Sequence, residues 1–543
     1  MRGKVGFKIR AASFALTLAL SPAAQAAGLQ TLTTVTGDGS APPMNINSLL
    51  PVVNNDSLAN DQAVTLMYRP LLWVGTDLRL DWKESMARSI EVSPDRRTFT
   101  IRLKPWRWSD ERSVTAQDAV EGFRLIEQFG QRYPNYGIGG IPTLVSRFVA
   151  LGPQRLQVVL KHAVNPLWFE LNGLSQIVPV PSFAWKGLSA NALFNRQIDT
   201  SLVQVVDGPY RLQRFVDGRM ARFVANPDYS GTHPPLARLT FLMITSPEAA
   251  FWSLKSGQLQ VANVPHALDA AGTQVASLGS CVSNGGYAIN YIPLNFTNPR
   301  VAFLRDRRVR QALQAAINQS QIIHVAYHGR GVPGFGPVPT DPDTYLSPRQ
   351  KWLTTHPMRA FDPQHARQLL EQAGWHLAAD GVRVKHGQRL AFTMLIPSGS
   401  QTRTAVAEIL KQQWRVIGVD MRIRSVPFNL ELAKLHPHGD WETALMQWIY
   451  SPDFYPTGDG MFDTGGGVNY GGYSDPTMDR LIASSTLDAG TSSLFAYEDY
   501  AASQLPTLFL PLPGYLVKFD PRLNKAQVDE VLWQVRARMV HSP

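Results

Sequence analysis

One cysteine, Cys281, stands among 543 residues, so the chain can form neither an internal disulfide nor a thiolate metal cluster. Nor does it supply a cysteine to carry a lipid at the start of a mature chain. Charge is sparse too, at 17% of residues, and the net excess of +10 is spread without a Lys/Arg block able to grip nucleic acid. No run outside the N-terminus approaches the ~18 apolar residues that span a bilayer. Enzyme signatures are missing as well, with no H-E-x-x-H and no G-x-S-x-G. Gly329-x-Gly331-x-x-Gly334 matches a dinucleotide fingerprint in letters only, because it follows a helical pattern rather than a strand and contains Pro333. It reads as a flexible turn. His436 and His438, with only Asp440 near, read as an exposed turn rather than a metal site. Cys281 has no local histidine to activate it and reads as a small buried apolar group. We therefore expect no catalytic constellation, no cofactor and no metal.

What the chain does have is apolar mass, 44% of residues, enough for a large core. It opens with a basic stretch (Arg2, Lys4, Lys8, Arg10), an apolar run from Ala11 to Leu20 and Ala24-Gln25-Ala26, the pattern of a cleaved export signal. Residues 1–26 are set aside on that ground, which lowers the net charge to +6. An exported chain of this size without disulfides fits a bacterial periplasm.

The most distinctive stretch runs from Trp441 to Tyr473. The spacing predicts a short apolar strand, Thr443 to Trp448, followed by a long loop crowded with aromatic residues and glycine. Rings at a strand end supply contact area at low entropic cost, so the loop is a candidate pocket wall. Padding of a surface loop explains it equally well when it is taken alone. Elsewhere, alternation predicts strands at Ser89–Val92 and Thr98–Leu103 around a Pro94-Asp95 turn. Thr115 with Asp118 predicts a capping box.

Several motifs in order resemble those of the family 5 extracellular solute-binding proteins, the large peptide- and nickel-type receptors of ABC importers. They are Trp82, Ser93-Pro94-Asp95, Arg102-Leu103, Ser109-Asp110 and Thr115-Ala116-Gln117-Asp118-Ala119-Val120. Asp207-Gly208-Pro209-Tyr210, Asn226-Pro227-Asp228-Tyr229, the Val309 to Ile317 helix, Asp362-Pro363 to Gly374 and Gly471 to Ile482 follow. The chain departs from the family at Glu111, where glycine is usual, and at Leu259 to Ala262, where an acid is absent.

The resemblance implies an α/β, two-lobed periplasmic binding protein fold (type II, large class with an extra subdomain), with hinge-linked lobes and a ligand cleft between them. Lobe one would hold 27–288 and 511–543, and lobe two 289–510, with crossings near Tyr287–Asn295 and Leu505–Leu516. It implies a monomeric receptor for a small peptide or peptide-like solute, delivering to a membrane-embedded ABC permease, with no part for nucleic acid. Peptide-binding members show Trp-x-x-Asp at the focal strand, the acid pairing with the peptide ammonium; here Trp448-Ile449-Tyr450 leads to Ser451, with Asp453 two residues on. The expected ligand groups are Trp448, Tyr450, Ser451, Asp453, Tyr455 and Tyr470, with Met44, Asn45, Trp106 and Trp108 from lobe one. A non-peptide cargo (a nickel chelate, an oligosaccharide or an opine-like compound) and an exported hydrolase are the competing readings.

Overall fold

Local signals set many of the elements. Asp118 Oδ2 accepts from the Thr115 backbone N–H at 2.9 Å and opens the helix Ala116–Phe129. Asp362, with Pro363 in the first turn, opens Pro363–Gln372, and Gly374 leaves it at φ +84°. Ser246 and Pro247 do the same for Pro247–Lys255. Glu111 takes the left-handed backbone, φ +69°, which glycine adopts without cost, so the departure there changes the residue while that conformation is still used.

The computed structural model describes residues 29–36, 45–53, 57–244, 246–275, 277–284, 287–524, 527–528 and 539–540. The expected export signal and Met44 lie outside the described residues. Among the described residues, no helix is long and apolar enough to cross a membrane.

Of the six sheets among the described residues, five carry the architecture. Thr31–Val35, Arg238–Leu242, Met220–Ala225 and Tyr210–Val216 form one, with the first pair parallel. Ala87–Val92, Thr98–Leu103, Arg155–Leu160 and Val145–Gly152 form a separate antiparallel sheet. Leu512–Phe519 lies between Gly279–Asn284 and Gly331–Val332, and also takes Val261–Val264. Met446–Ile449, Ala288–Pro293 and Thr507–Leu510 make the fourth. The fifth is parallel, with Ala391–Pro397 between Asp420–Val426 and Thr443–Ala444.

Besides the excursion that brings Gly331–Val332 to the third sheet, the chain passes directly between the third and fourth sheets at two close joints. Gly279–Asn284 lies in one and Ala288–Pro293 in the other. Thr507–Leu510 and Leu512–Phe519 make the return, with Pro511 alone between them. Pro has no N–H to offer a ladder, which suits it to the point where a strand changes sheets.

The expected strand from Thr443 to Trp448 is not continuous. It divides into Thr443–Ala444, paired with Ala391–Pro397, and Met446–Ile449, paired with Ala288–Pro293, so it stitches the fourth and fifth sheets together. Gly471 fixes the far end of the focal loop against this junction. Phe296 N–H donates to Gly471 O at 2.9 Å, and a Cβ on Gly471 would fall inside the van der Waals envelope of Leu294 O, a backbone atom that cannot swing away. Gly471→Ala is expected to lower stability by about 2–3 kcal/mol. A denaturant midpoint unchanged within error would show that the loop relaxes freely.

Candidate ligand site

Register decides which side chains share a face. Ile289 is opposite Trp448, and Tyr291 is opposite Met446. Cross-strand partners point the same way, and alternate residues on one strand share a side. Tyr287, Ile289, Tyr291, Met446, Trp448 and Tyr450 therefore belong to one face. Asn290 points the other way and donates to Pro511 O at 3.1 Å. At one end of the face the Tyr450 N–H donates to Tyr287 O at 2.8 Å, and the two rings lie 5.7 Å apart. The Tyr450 hydroxyl donates to Pro337 O at 2.6 Å.

Beyond Tyr450 the loop carries Asp453 to a residue 281 positions away in the sequence. Asn172, fully buried in the turn Phe169–Gly173, donates to Asp453 Oδ1 and, at 2.9 Å, to Tyr455 O. Its own carbonyl accepts the Tyr455 N–H at 2.7 Å. Asn165, also fully buried, donates to the Tyr455 hydroxyl at 3.2 Å and to Gly490 O at 2.9 Å. The Tyr345 ring meets that of Tyr455 edge-on at 5.2 Å. Two asparagines thus clasp the aromatic loop from the segment 165–172.

The electrostatics are one-sided. Burial pushes the Asp453 carboxyl well above the usual carboxylate range, Asp459 pushes it further, and only the Asn172 amide pulls it back. Burial likewise raises Asp459, against the Thr457 hydroxyl. Glu170 rises to about 7 by burial, and Glu498 to about 8. None of these four acids forms an ion pair with Lys, Arg or His among the described residues. Asp453 and Asp459 are raised by burial and yet keep part of their surface accessible.

The expected site residues separate into three groups. Trp448, Ser451, Asp453 and Tyr470 keep accessible surface around this region. Tyr450 and Tyr455 are buried with their hydroxyls already engaged, so they act as walls. Trp106 and Trp108 do not join them. Both are buried in the core, where Trp106 Nε1 donates to Asp207 O at 3.0 Å and its ring stands edge-on to Tyr229 at 5.6 Å. Asn45 is exposed. Sequence reasoning missed Asn172, Asn165, Asp459 and Tyr287; only Asp459, six residues past Asp453 in the same loop, left a local signal. His436 and His438 are exposed, and Cys281 is buried in Gly279–Asn284.

Chain crossings between the third and fourth sheets, beside the buried acids Asp453 and Asp459, fit a two-lobed solute-binding protein. Residues 81–469 match the model for bacterial extracellular solute-binding proteins, family 5 Middle, and the chain belongs to that family. It is 23% identical over 447 residues to the oligopeptide-binding protein AppA of Bacillus subtilis, covering 80% of this chain and 78% of that one. AppA's structure in complex with a nonapeptide superposes with a TM-score of 0.69 at 19% identity, over 95% of this chain and 100% of that one. NikZ of Campylobacter jejuni, solved with Ni(L-His), gives 0.71 at 19% identity over 91% and 94%. A putative ABC transporter peptide-binding protein of Brucella ovis is 29% identical over 292 residues, about half of each chain (53% and 51%). These relatives are solute-binding proteins.

Proposed function

We propose that the protein captures a small peptide or peptide-like solute between its lobes and hands it to a membrane-embedded ABC permease, acting as a monomer after export. Lobe one is taken as 27–288 with 511–543, and lobe two as 289–510. The observation that carries this reading is the acid pair itself: Asp453 and Asp459 are raised by burial, keep accessible surface near the buried ring of Tyr450, and have no ion-pair partner among the described residues. A ligand ammonium would restore the missing charge, and Asp453 does from its own position what an acid at Ser451 would do. Closure of the lobes would then be the working motion.

Asp453→Asn separates this from a steric role. Binding of Ala-Ala-Ala should weaken by roughly 2 kcal/mol, about thirtyfold, while binding of N-acetyl-Ala-Ala-Ala changes little. Equal losses for the two peptides, measured by titration calorimetry, would remove Asp453 as the ammonium anchor. Native mass spectrometry of protein taken from its own periplasm would name the cargo. A nickel chelate there would favour the second reading, which Ser451 and the likeness to NikZ keep open. Turnover of a peptide mixture would favour a hydrolase.

A further inference from the structure

The helix Phe428–Lys434 is inside out. Phe428, Leu430 and Leu432 are 45%, 45% and 38% exposed, while Glu431 between them is fully buried. Apolar burial stabilises a helix and burial of a carboxylate without partners opposes it, so this orientation costs stability twice over. Neither Glu431 oxygen has a hydrogen-bond partner. The Tyr291 hydroxyl, also buried, has none either. The two groups lie close enough for Glu431, after burial and Tyr470, to hold the Tyr291 phenol up. Tyr291 belongs to the face that carries Trp448, at the opposite end from Tyr287 and Asp453.

Arg403 bears on the same spot. It is half-buried in the first turn of Gln401–Val416 and draws the Glu431 carboxyl down against the effect of burial. It does not come within ion-pair distance of Glu431, and its guanidinium has no hydrogen bond among the described residues. Arg403 is thus a neighbouring cation that leaves Glu431 without an ion pair.

We propose that Glu431 and Tyr291 form a second polar subsite that takes a cationic group of the cargo, so that the preferred cargo carries two positive charges. This rests on the peptide-receptor reading for the first charge, beside Asp453. Four residues of strand separate Tyr287 from Tyr291, which at ~3.3 Å each puts the two subsites roughly 13 Å apart. A short peptide spans that distance from its terminal ammonium to a Lys side chain. So does a linear diamine.

The test is titration of the purified protein, of Glu431→Gln and of Tyr291→Phe with Ala-Ala-Lys, Ala-Ala-norleucine and 1,8-diaminooctane. The wild type should bind the Lys peptide at least tenfold more tightly than the norleucine peptide. Glu431→Gln should abolish that preference, and Tyr291→Phe should reduce it, with melting temperatures no lower than the wild type's. Equal binding of the two peptides overturns the second subsite and leaves the peptide receptor standing. Binding of the diamine alone, weakened by Glu431→Gln, upholds the subsite and overturns the peptide reading. If neither the Lys peptide nor the diamine binds, the inference falls. Should Glu431→Gln fail to fold, a preference unchanged in Tyr291→Phe overturns it.

Discussion

Replacing Asn172 by Leu is expected to open the protein. Leu keeps the branched outline of Asn172, though with more bulk, and removes both arms of its amide, leaving the Tyr455 N–H, the Tyr455 carbonyl and the Asp453 carboxyl without their partner. Each orphaned buried group costs about 1–3 kcal/mol, so the contact between segment 165–172 and the loop at 453–455 should lose on the order of 4 kcal/mol. On the proposed division, with 165–172 in lobe one and 453–455 in lobe two, the loss is expected to fall on closure rather than on folding. A population shift of this size is several hundredfold or more, and apparent affinity falls with the closed fraction. Small-angle scattering should show a larger radius of gyration without ligand, and ligand binding should weaken at least a hundredfold. Asn165→Leu, which gives up bonds to the Tyr455 hydroxyl, Ser485 O and Gly490 O, should act in the same direction. Unchanged scattering and affinity with a lowered melting temperature would make Asn172 a packing residue only.

The features that were legible in the sequence are those written within a few residues. Thr115 with Asp118, Asp362 with Pro363, and Ser246 with Pro247 each announce a helix start by a contact spanning one turn, and each is present. The division of the strand at Leu445 is not local. Residues 443–444 and 446–449 differ in their partners, at 394–395 and 288–291, and nothing in a six-residue apolar run specifies two sheets. Aromatic content misled in the same way. Trp106 and Trp448 both sit beside polar loops, yet Trp106 finds a carbonyl for its indole N–H at Asp207, a hundred residues on, and becomes core. The clasp on Asp453 is longer in reach still, 281 residues from Asn172. At Glu431 no local signal marks the burial, since Phe428, Leu430 and Leu432 alternate at a spacing of two that singles out no helix face, and the fold buries the acid between them.

Glu498→Gln should make the protein more stable at alkaline pH and flatten much of its pH dependence. Glu498 is fully buried on Ser492–Gln504, and its Oε2 accepts the Ser347 N–H at 2.6 Å while Oε1 has no partner. Burial pushes its carboxyl from 4.5 up to about 8, against the Ser347 hydrogen bonds. Between pH 4.5 and 8 the folded chain therefore holds a proton that the unfolded chain has released. Stability from this group is fully present below pH 4.5, declines as the pH rises toward 8, and stays low above it. The loss is on the order of 4 kcal/mol by pH 9. Glutamine keeps the acceptor for Ser347 without the charge, and its new amide N–H faces the neighbourhood of Gln350 Oε1, which also lacks a donor beside Gly336. Glu170 and Glu431, both raised to about 7 by burial, act in the same sense, so a shallower fall with pH should persist in the variant. Denaturant unfolding at pH 5, 7 and 9 tests this directly: wild type and Glu498→Gln should nearly coincide at pH 5 and diverge progressively above it. Parallel curves across that range would mean that Glu498 is ionised and compensated in the folded protein.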